Sequence, residues 1–364
     1  MGDILSSGLR RQNDRPSGTL ARSSGEALVD ALSDVLRAVR LTGAIFFDVQ
    51  ACEPWVAETP SGQTIVDAMF PGSEHLVCYH VITRGSCWAC IPGEPPIRLS
   101  AGDIIVLPHG DTHVLSSTPG LRHSPDMSMY RMPADGRLPV SISVGGADGE
   151  PVHFVCGFLG CDARPFNPLL SALPRVILLS GHASGALASY VQFALAESKE
   201  PRLGGQCVLG RLSELMFVDV IRHYLETLPP DRTGWLAGLR DQFVGGALSA
   251  FHRNPTHAWT IESLAKSVGL SRSALAERFT GLVGQPLVQY MTNWRMQLAA
   301  NHLLSGTDSV AVIANLVGYD SEAAFSRAFK KAVGAPPSQW RKSRSELRSA
   351  QASPAAIANP QARV

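Results

Sequence analysis

The chain has 364 residues, 45% hydrophobic and 17% charged, with a formal net charge of +1, which fits a soluble globular protein of two or three domains. No apolar run approaches the roughly 18–20 residues that a membrane-spanning helix requires, and seven scattered cysteines argue for reduced thiols over a disulfide framework. The near-neutral total hides an asymmetry, because residues 235–344 hold 12 Lys/Arg against 6 Asp/Glu whereas residues 1–234 hold 18 against 24. A basic C-terminal module joined to an acidic partner suits a nucleic-acid-binding head with a separate sensor.

Residues 1–26 are polar, rich in Ser, Gly and Arg, and lack the apolar segment of a signal peptide, so they read as the disordered lead of a cytoplasmic protein. From Ala27 to Arg40, the residues Leu28, Ala31, Leu32, Val35, Leu36 and Val39 predict an amphipathic helix. The pattern then changes to short β-branched or aromatic runs separated by turn residues: Gly43–Gln50, Thr64–Phe70, Glu74–Thr83, Ser86–Ile91, Pro96–Leu99 and Ile104–Leu107. Strands at this spacing predict a double-sheet barrel.

Gly102, Pro108, Gly110 and His113 stand at the spacing G-x5-P-x-G-x2-H-x3-N, with Ser117 in the place of the final Asn. The segment resembles the second motif of the cupins. It is more similar still to the cupin-type sensor domain in one branch of a family of regulators, which Tyr79–Trp88 and the stretch from Val155 to Pro174 also resemble. The resemblance implies a barrel over residues 27–182 that takes a small effector, with Tyr79, His80, Trp88 and His113 as the barrel-facing candidates. Metal cupins converge three ligands on one ion. Here His75 and His80 lie five apart on a strand and face opposite ways, which leaves His113 as a single ligand and argues against a catalytic centre.

The cysteines are weighed the same way. Cys87 and Cys90 have zinc-like spacing, but strand residues three apart face opposite sides. Cys156 and Cys161 flank a Gly-containing turn, and with a nearby histidine (His75, His80 or His153) they form the more credible constellation. Cys156, Cys161 and His80 are therefore the candidate ligands for zinc or another divalent metal, with buried, inert thiols as the default.

After Pro174 the chain turns helical. Residues 183–228 form a connector with helices at Ser184–Glu197 and Gly204–Leu228. In the second, Leu209, Leu212, Met216, Val220, His223 and Tyr224 make a stripe that predicts either packing on the barrel or, by preference, a homodimer interface. Residues 229–234 are a linker.

Residues 235–344 contain one pattern twice. Ile261, Leu264, Ala265 and Val268 recur at helical spacing before Gly269, and Val310, Ile313, Ala314 and Val317 recur in the same way before Gly318. Each glycine suits a helix end in the left-handed region. Ser271 suits the next N-cap, and the small Ala265 and Ala314 allow the close crossing of a helix-turn-helix. Aligning the glycines pairs Ser271 with Asp320 and Leu275 with Ala324. An apolar helix, Leu287 to about Leu304, joins the copies. With Gly318-Tyr319, the run Phe325-Ser-Arg-Ala-Phe329-Lys-Lys and the run Gly334-Ala-Pro-Pro-Ser-Gln-Trp-Arg341, these residues resemble the AraC/XylS family of bacterial transcription activators.

That resemblance implies that the second helix of each copy enters successive major grooves, roughly 34 Å apart. By position, Arg272, Ser273, Ala276 and Glu277 would read bases in the first copy, and Glu322, Ala323, Ser326 and Arg327 in the second. Lys330, Lys331 and Arg341, with Lys342 and Arg344, would meet phosphates, or else form an ordinary solvated basic face. The tail 345–364 reads as disordered. The expected molecule is an α+β, two-domain protein: a cupin-like β-barrel with helices, then an all-α double helix-turn-helix domain. It is expected to be a dimeric regulator rather than an enzyme, with DNA, a small effector and RNA polymerase as partners. A cupin metalloenzyme, and a thiol or metal sensor using Cys156 and Cys161, stay open as alternatives.

Overall fold

The computed structural model describes residues 30–70, 73–130, 138–146, 150–181, 186–200 and 202–352; the lead 1–26 lies outside them. Helix α1 (Ala31–Ala38) starts at Asp30, whose carboxylate accepts from the Leu32 amide at 3.0 Å. Strands β1 (Thr42–Cys52) and β2 (Val56–Thr59) follow, then α2 (Gly62–Met69). The strand expected at Thr64–Phe70 is thus a helix. Ser61 accepts from the Thr64 amide, and Ile65, Val66 and Met69 are buried together on one face, so helical spacing and an N-cap override β-branched composition.

The barrel continues with β3 (His75–Arg84), β4 (Ser86–Cys90), β5 (Ile97–Ser100), β6 (Ile104–Leu107), β7 (His113–Ser116), β8 (Val140–Gly145) and β9 (Val152–Cys161). Short α3 (Pro168–Ala172) leads to β10 (Ile177–Leu179). Two sheets result: six strands ordered β10-β6-β3-β9-β1-β8, and four ordered β2-β7-β4-β5. Their facing sides enclose a core that includes Phe47, Trp55, Ile65, Leu107, Phe154 and Phe158.

The outer face of the larger sheet is covered by α1, α4 (Ala186–Lys199) and α5 (Gly205–Thr227). Gly43 of β1 and Gly210 of α5 make this approach feasible. A Cβ on Gly43 would come within 2.7 Å of the Gly210 carbonyl oxygen, and one on Gly210 within 2.9 Å of the Gly43 oxygen. The Tyr79 and Ser213 hydroxyls, 2.7 Å apart, pin the same contact. The α5 stripe preferred as a dimer interface is therefore used within the chain: Leu209, Leu212, Met216 and Val220 are buried in the core against the sheet. Exposed apolar residues of this region lie elsewhere, Phe193 on α4 and Leu215 on α5.

The C-terminal half is all helix: α6 (Trp235–Arg240), α7 (Gln242–Arg253), α8 (Ile261–Ser267), α9 (Arg272–Val283), α10 (Leu287–Ser305), α11 (Val310–Leu316), α12 (Glu322–Val333) and α13 (Pro337–Ala352). The tail expected to be disordered from Ser345 is thus helical through Ala352, and residues 353–364 lie outside the described residues. Helix α10 serves two cores. Leu287, Tyr290, Met291 and Trp294 join the one that also holds α6 to α9, while Met296, Ala299, Ala300 and Leu303 join the one holding α11 and α12.

The barrel rests on this same helix. The Asn301 amide donates to the Ala38 carbonyl at 2.9 Å, the buried Gln297 carbonyl accepts from the Phe166 amide at 3.0 Å, and Phe166 packs edge-on to Tyr290 at 5.5 Å. Glu74 adds an ion pair to Arg344 of α13. Gln297→Leu would strand the Phe166 N–H without an acceptor, which costs about 1–3 kcal/mol. A lower urea midpoint should report it, and an unchanged midpoint would show that the contact is idle.

Candidate functional site

Each repeat folds as two helices around a tight turn. Gly269 and Gly318 end α8 and α11 with φ of 75° and 82°, the region that glycine enters without a Cβ clash. Ser271 caps α9 by accepting from the Ala274 amide at 3.2 Å, and Ser321 caps α12 by accepting from the Ala324 amide at 3.2 Å. The second turn therefore carries one extra residue, Asp320. This corrects the alignment: Ser271 corresponds to Ser321, Leu275 to Phe325 and Phe279 to Phe329, and all four of these apolar residues are fully buried.

With the caps aligned, Arg272, Ser273, Ala276 and Glu277 on α9 and Glu322, Ala323, Ser326 and Arg327 on α12 occupy equivalent positions over the first turns. None of the eight is buried. Arg272 pairs with Glu262 of α8 at 2.9 Å across an exposed surface. Lys330 and Lys331 are exposed, whereas Arg341 donates to the Asp308 carbonyl at 2.6 Å and so braces the turn before α11. Two such helix N-terminal halves, held by one rigid spacer helix, form the kind of surface that enters DNA grooves.

The second site is a cavity of about 230 Å3 inside the barrel. Phe47 and Val49 of β1, Phe154 and Phe158 of β9, and Ile142 and Val144 of β8 line it, with Met129 and Tyr130 above them. Polar groups stand in two places. Glu58, His123, Ser124 and Asp126 contribute to the lining, Glu58 being paired with Arg122. His80 and Cys156 are opposite each other on β3 and β9.

The His80 Nδ1 and Cys156 Sγ are 2.8 Å apart, His80 Nε2 is 2.6 Å from His113 Nε2, and His113 Nδ1 is 2.8 Å from the Asp111 carbonyl. Burial, and then the His113 ring beside it, hold His80 well below the usual imidazole range. Burial depresses His113 to about 4 and pushes the Cys156 thiol well up.

The sequence-derived candidates divide accordingly. His80 lines the cavity and meets His113, which is not among the residues that line it. Tyr79 does not face the cavity; it points through the outer side of the sheet to Ser213. Trp88 is half-buried under the Arg98 guanidinium, 5.3 Å from its ring centre, and does not line the cavity. No turn separates Cys156 from Cys161: both lie on β9, five residues apart, and Cys161 belongs to the outer core in register with His75. The trio Cys156, Cys161 and His80 therefore does not converge. Two histidine nitrogens that share a hydrogen at 2.6 Å leave no space for an ion between them, and no group of three or more His, Cys, Asp or Glu among the described residues is arranged to hold a metal. These residues do not fit a cupin metal centre.

Comparison with known proteins adds to this geometry. A family model described as cupin matches residues 30–226, and one described as helix-turn-helix domain matches residues 264–343. The chain is 35% identical over 276 residues to a protein of Streptomyces lividans named as an AraC-like transcription regulator, covering 73% of this chain and 87% of that one. It is 32% identical over 319 residues to one of Streptomyces antibioticus with the same name, covering 86% and 99%. Among solved structures, the DNA-binding domain of AdpA in complex with a target DNA matches at 23% identity and TM-score 0.29, covering 30% of this chain and 97% of that one.

Proposed function

Because the chain belongs to the AraC-like transcription regulators, with a cupin domain ahead of its helix-turn-helix domain, we propose that it is an effector-controlled activator. In this reading α9 and α12 read successive major-groove segments, and a small, largely apolar effector occupies the barrel cavity. The observation that carries the reading is the docking of the barrel on α10 through Gln297 and Asn301, since α10 is the helix that sets the separation of α9 and α12. An effector that prefers one arrangement of that contact shifts DNA affinity by its own differential affinity, typically about 1–3 kcal/mol or 5–150-fold. RNA polymerase would be met from the DNA-bound state. A homodimer, if formed, uses a face other than the buried α5 stripe.

The test begins by selecting binding sites from random DNA and measuring affinity by fluorescence anisotropy. Arg327→Ala should weaken binding by about 1–3 kcal/mol and relax preference in one half of the site, and Arg272→Ala should do so in the other half. Wild-type affinity and preference in both variants would remove α9 and α12 as the reading helices.

A further inference from the structure

The hydrogens of the buried Cys156–His80–His113 chain can be assigned. The Asp111 carbonyl can only accept, so His113 Nδ1 carries a hydrogen. With both rings neutral, His113 Nε2 is then bare, and His80 Nε2 must donate to it. That leaves His80 Nδ1 bare, facing the Cys156 thiol at 2.8 Å. A nucleophile within hydrogen-bond reach of a base, with the base held in one tautomer by a third group, is the arrangement in which a thiol that burial keeps protonated can hand over its proton as it attacks. None of the three groups is used by the DNA-binding surface.

The sulfur also has somewhere to react. Cys156 lines the cavity between Phe154 and Phe158, its neighbours on the same face of β9, with Phe47 beside it on β1 and Ile142 beyond on β8 of the same sheet. Charged or strongly hydrated reagents lose their hydration in such a lining, whereas an uncharged carbon electrophile does not. Cys78 and Cys161 are at least as buried but, among the described residues, have no histidine ring nitrogen within hydrogen-bonding distance, and they serve as internal references.

We infer that Cys156 is a covalent capture site for an uncharged, apolar electrophile bearing a carbon–carbon double bond conjugated to a carbonyl. The Sγ–C bond forms at the β-carbon while the thiol proton passes to His80 Nδ1. The π electrons move to the α-carbon and carbonyl, and His80 then returns the proton to the α-carbon. The net change is addition of S–H across the double bond, with no oxidant and no leaving group. This rests on the reading of the cavity as the effector site.

The full-length protein is treated with N-ethylmaleimide, and adduct formation at each cysteine is followed by peptide mass spectrometry over time. Cys156 should be labelled at least ten-fold faster than Cys78 and Cys161, and His80→Gln should slow Cys156 at least ten-fold while the exposed Cys207 keeps its rate. Equal labelling of Cys156, Cys78 and Cys161 in the wild-type protein overturns the inference without reference to any variant, as does a folded His80→Gln protein in which Cys156 keeps its rate. DNA affinity of the labelled protein separates the two readings. Rapid Cys156 labelling with unchanged affinity supports the capture chemistry and removes the cavity's effector role, and a changed affinity supports both.

Discussion

Gly318→Ala is expected to destabilise the protein by about 2–5 kcal/mol, against about 1–2 kcal/mol for Gly269→Ala. Both glycines have positive φ, 82° and 75°, so each alanine meets the left-handed penalty of about 1–2 kcal/mol. They differ in surroundings. A Cβ on Gly269 enters open space, whereas one on Gly318 would lie 2.7 Å from the Thr256 carbonyl oxygen, and overpacking adds about 1–3 kcal/mol. The obstructing segment cannot easily retreat, because Arg295 of α10 donates to the Pro255 and His257 carbonyls at 2.7 Å each. The second turn thus abuts the loop that enters the first repeat, and Gly318→Ala should weaken binding to a full site more than Gly269→Ala does. Urea unfolding and anisotropy on both variants check this, and equal effects would show that the contact does not constrain the two repeats.

Acid should unfold the protein well above the range of ordinary carboxylates. His80, His113 and His252 are buried and neutral, with His80 held well below 6.5, His113 at about 4 and His252 at about 3, burial being the largest cause in each. In the unfolded chain all three titrate near 6.5. The folded pKa is depressed, so between these values the unfolded state binds more protons and stability falls as pH falls. The contribution is complete above about 6.5, and each histidine costs up to about 1.4 kcal/mol per pH unit below it. Urea midpoints should be flat above pH 7 and drop steeply from 6.5 to 5, before Asp and Glu enter. His113→Gln should make that slope shallower. A flat profile over 6.5–5 would contradict the burial of neutral rings.

The repeats were legible because their signals are local. Apolar spacing, a glycine at the turn and a serine cap each act within a few residues, and only the one-residue insertion at Asp320 escaped a register set by the glycines. The cupin spacing around His113 was legible for the same reason. Within the barrel, strand parity held information that the motif reading overrode. Tyr79 and His80 are adjacent on β3, and Cys156 and Cys161 lie five apart on β9, so neither pair can share a face. The same alternation marks Phe47 and Val49, and Phe154, Cys156 and Phe158, as one lining. What no local pattern carried was the joining of β8 to β1 in parallel and the placement of Met129 and Tyr130 over the cavity. Nor did it carry the docking of Gln297 and Asn301 beneath the barrel, since these depend on contacts more than a hundred residues apart in sequence.

The most direct measurement is hydroxyl-radical footprinting of the full-length protein on DNA selected from random sequence. Two protected patches on one face of the duplex, about one helical turn or roughly 34 Å apart, are the expected result, with Arg327→Ala weakening protection in one patch and Arg272→Ala in the other. A single patch, or two on opposite faces, would contradict a regulator that reads DNA with α9 and α12 held apart by α10.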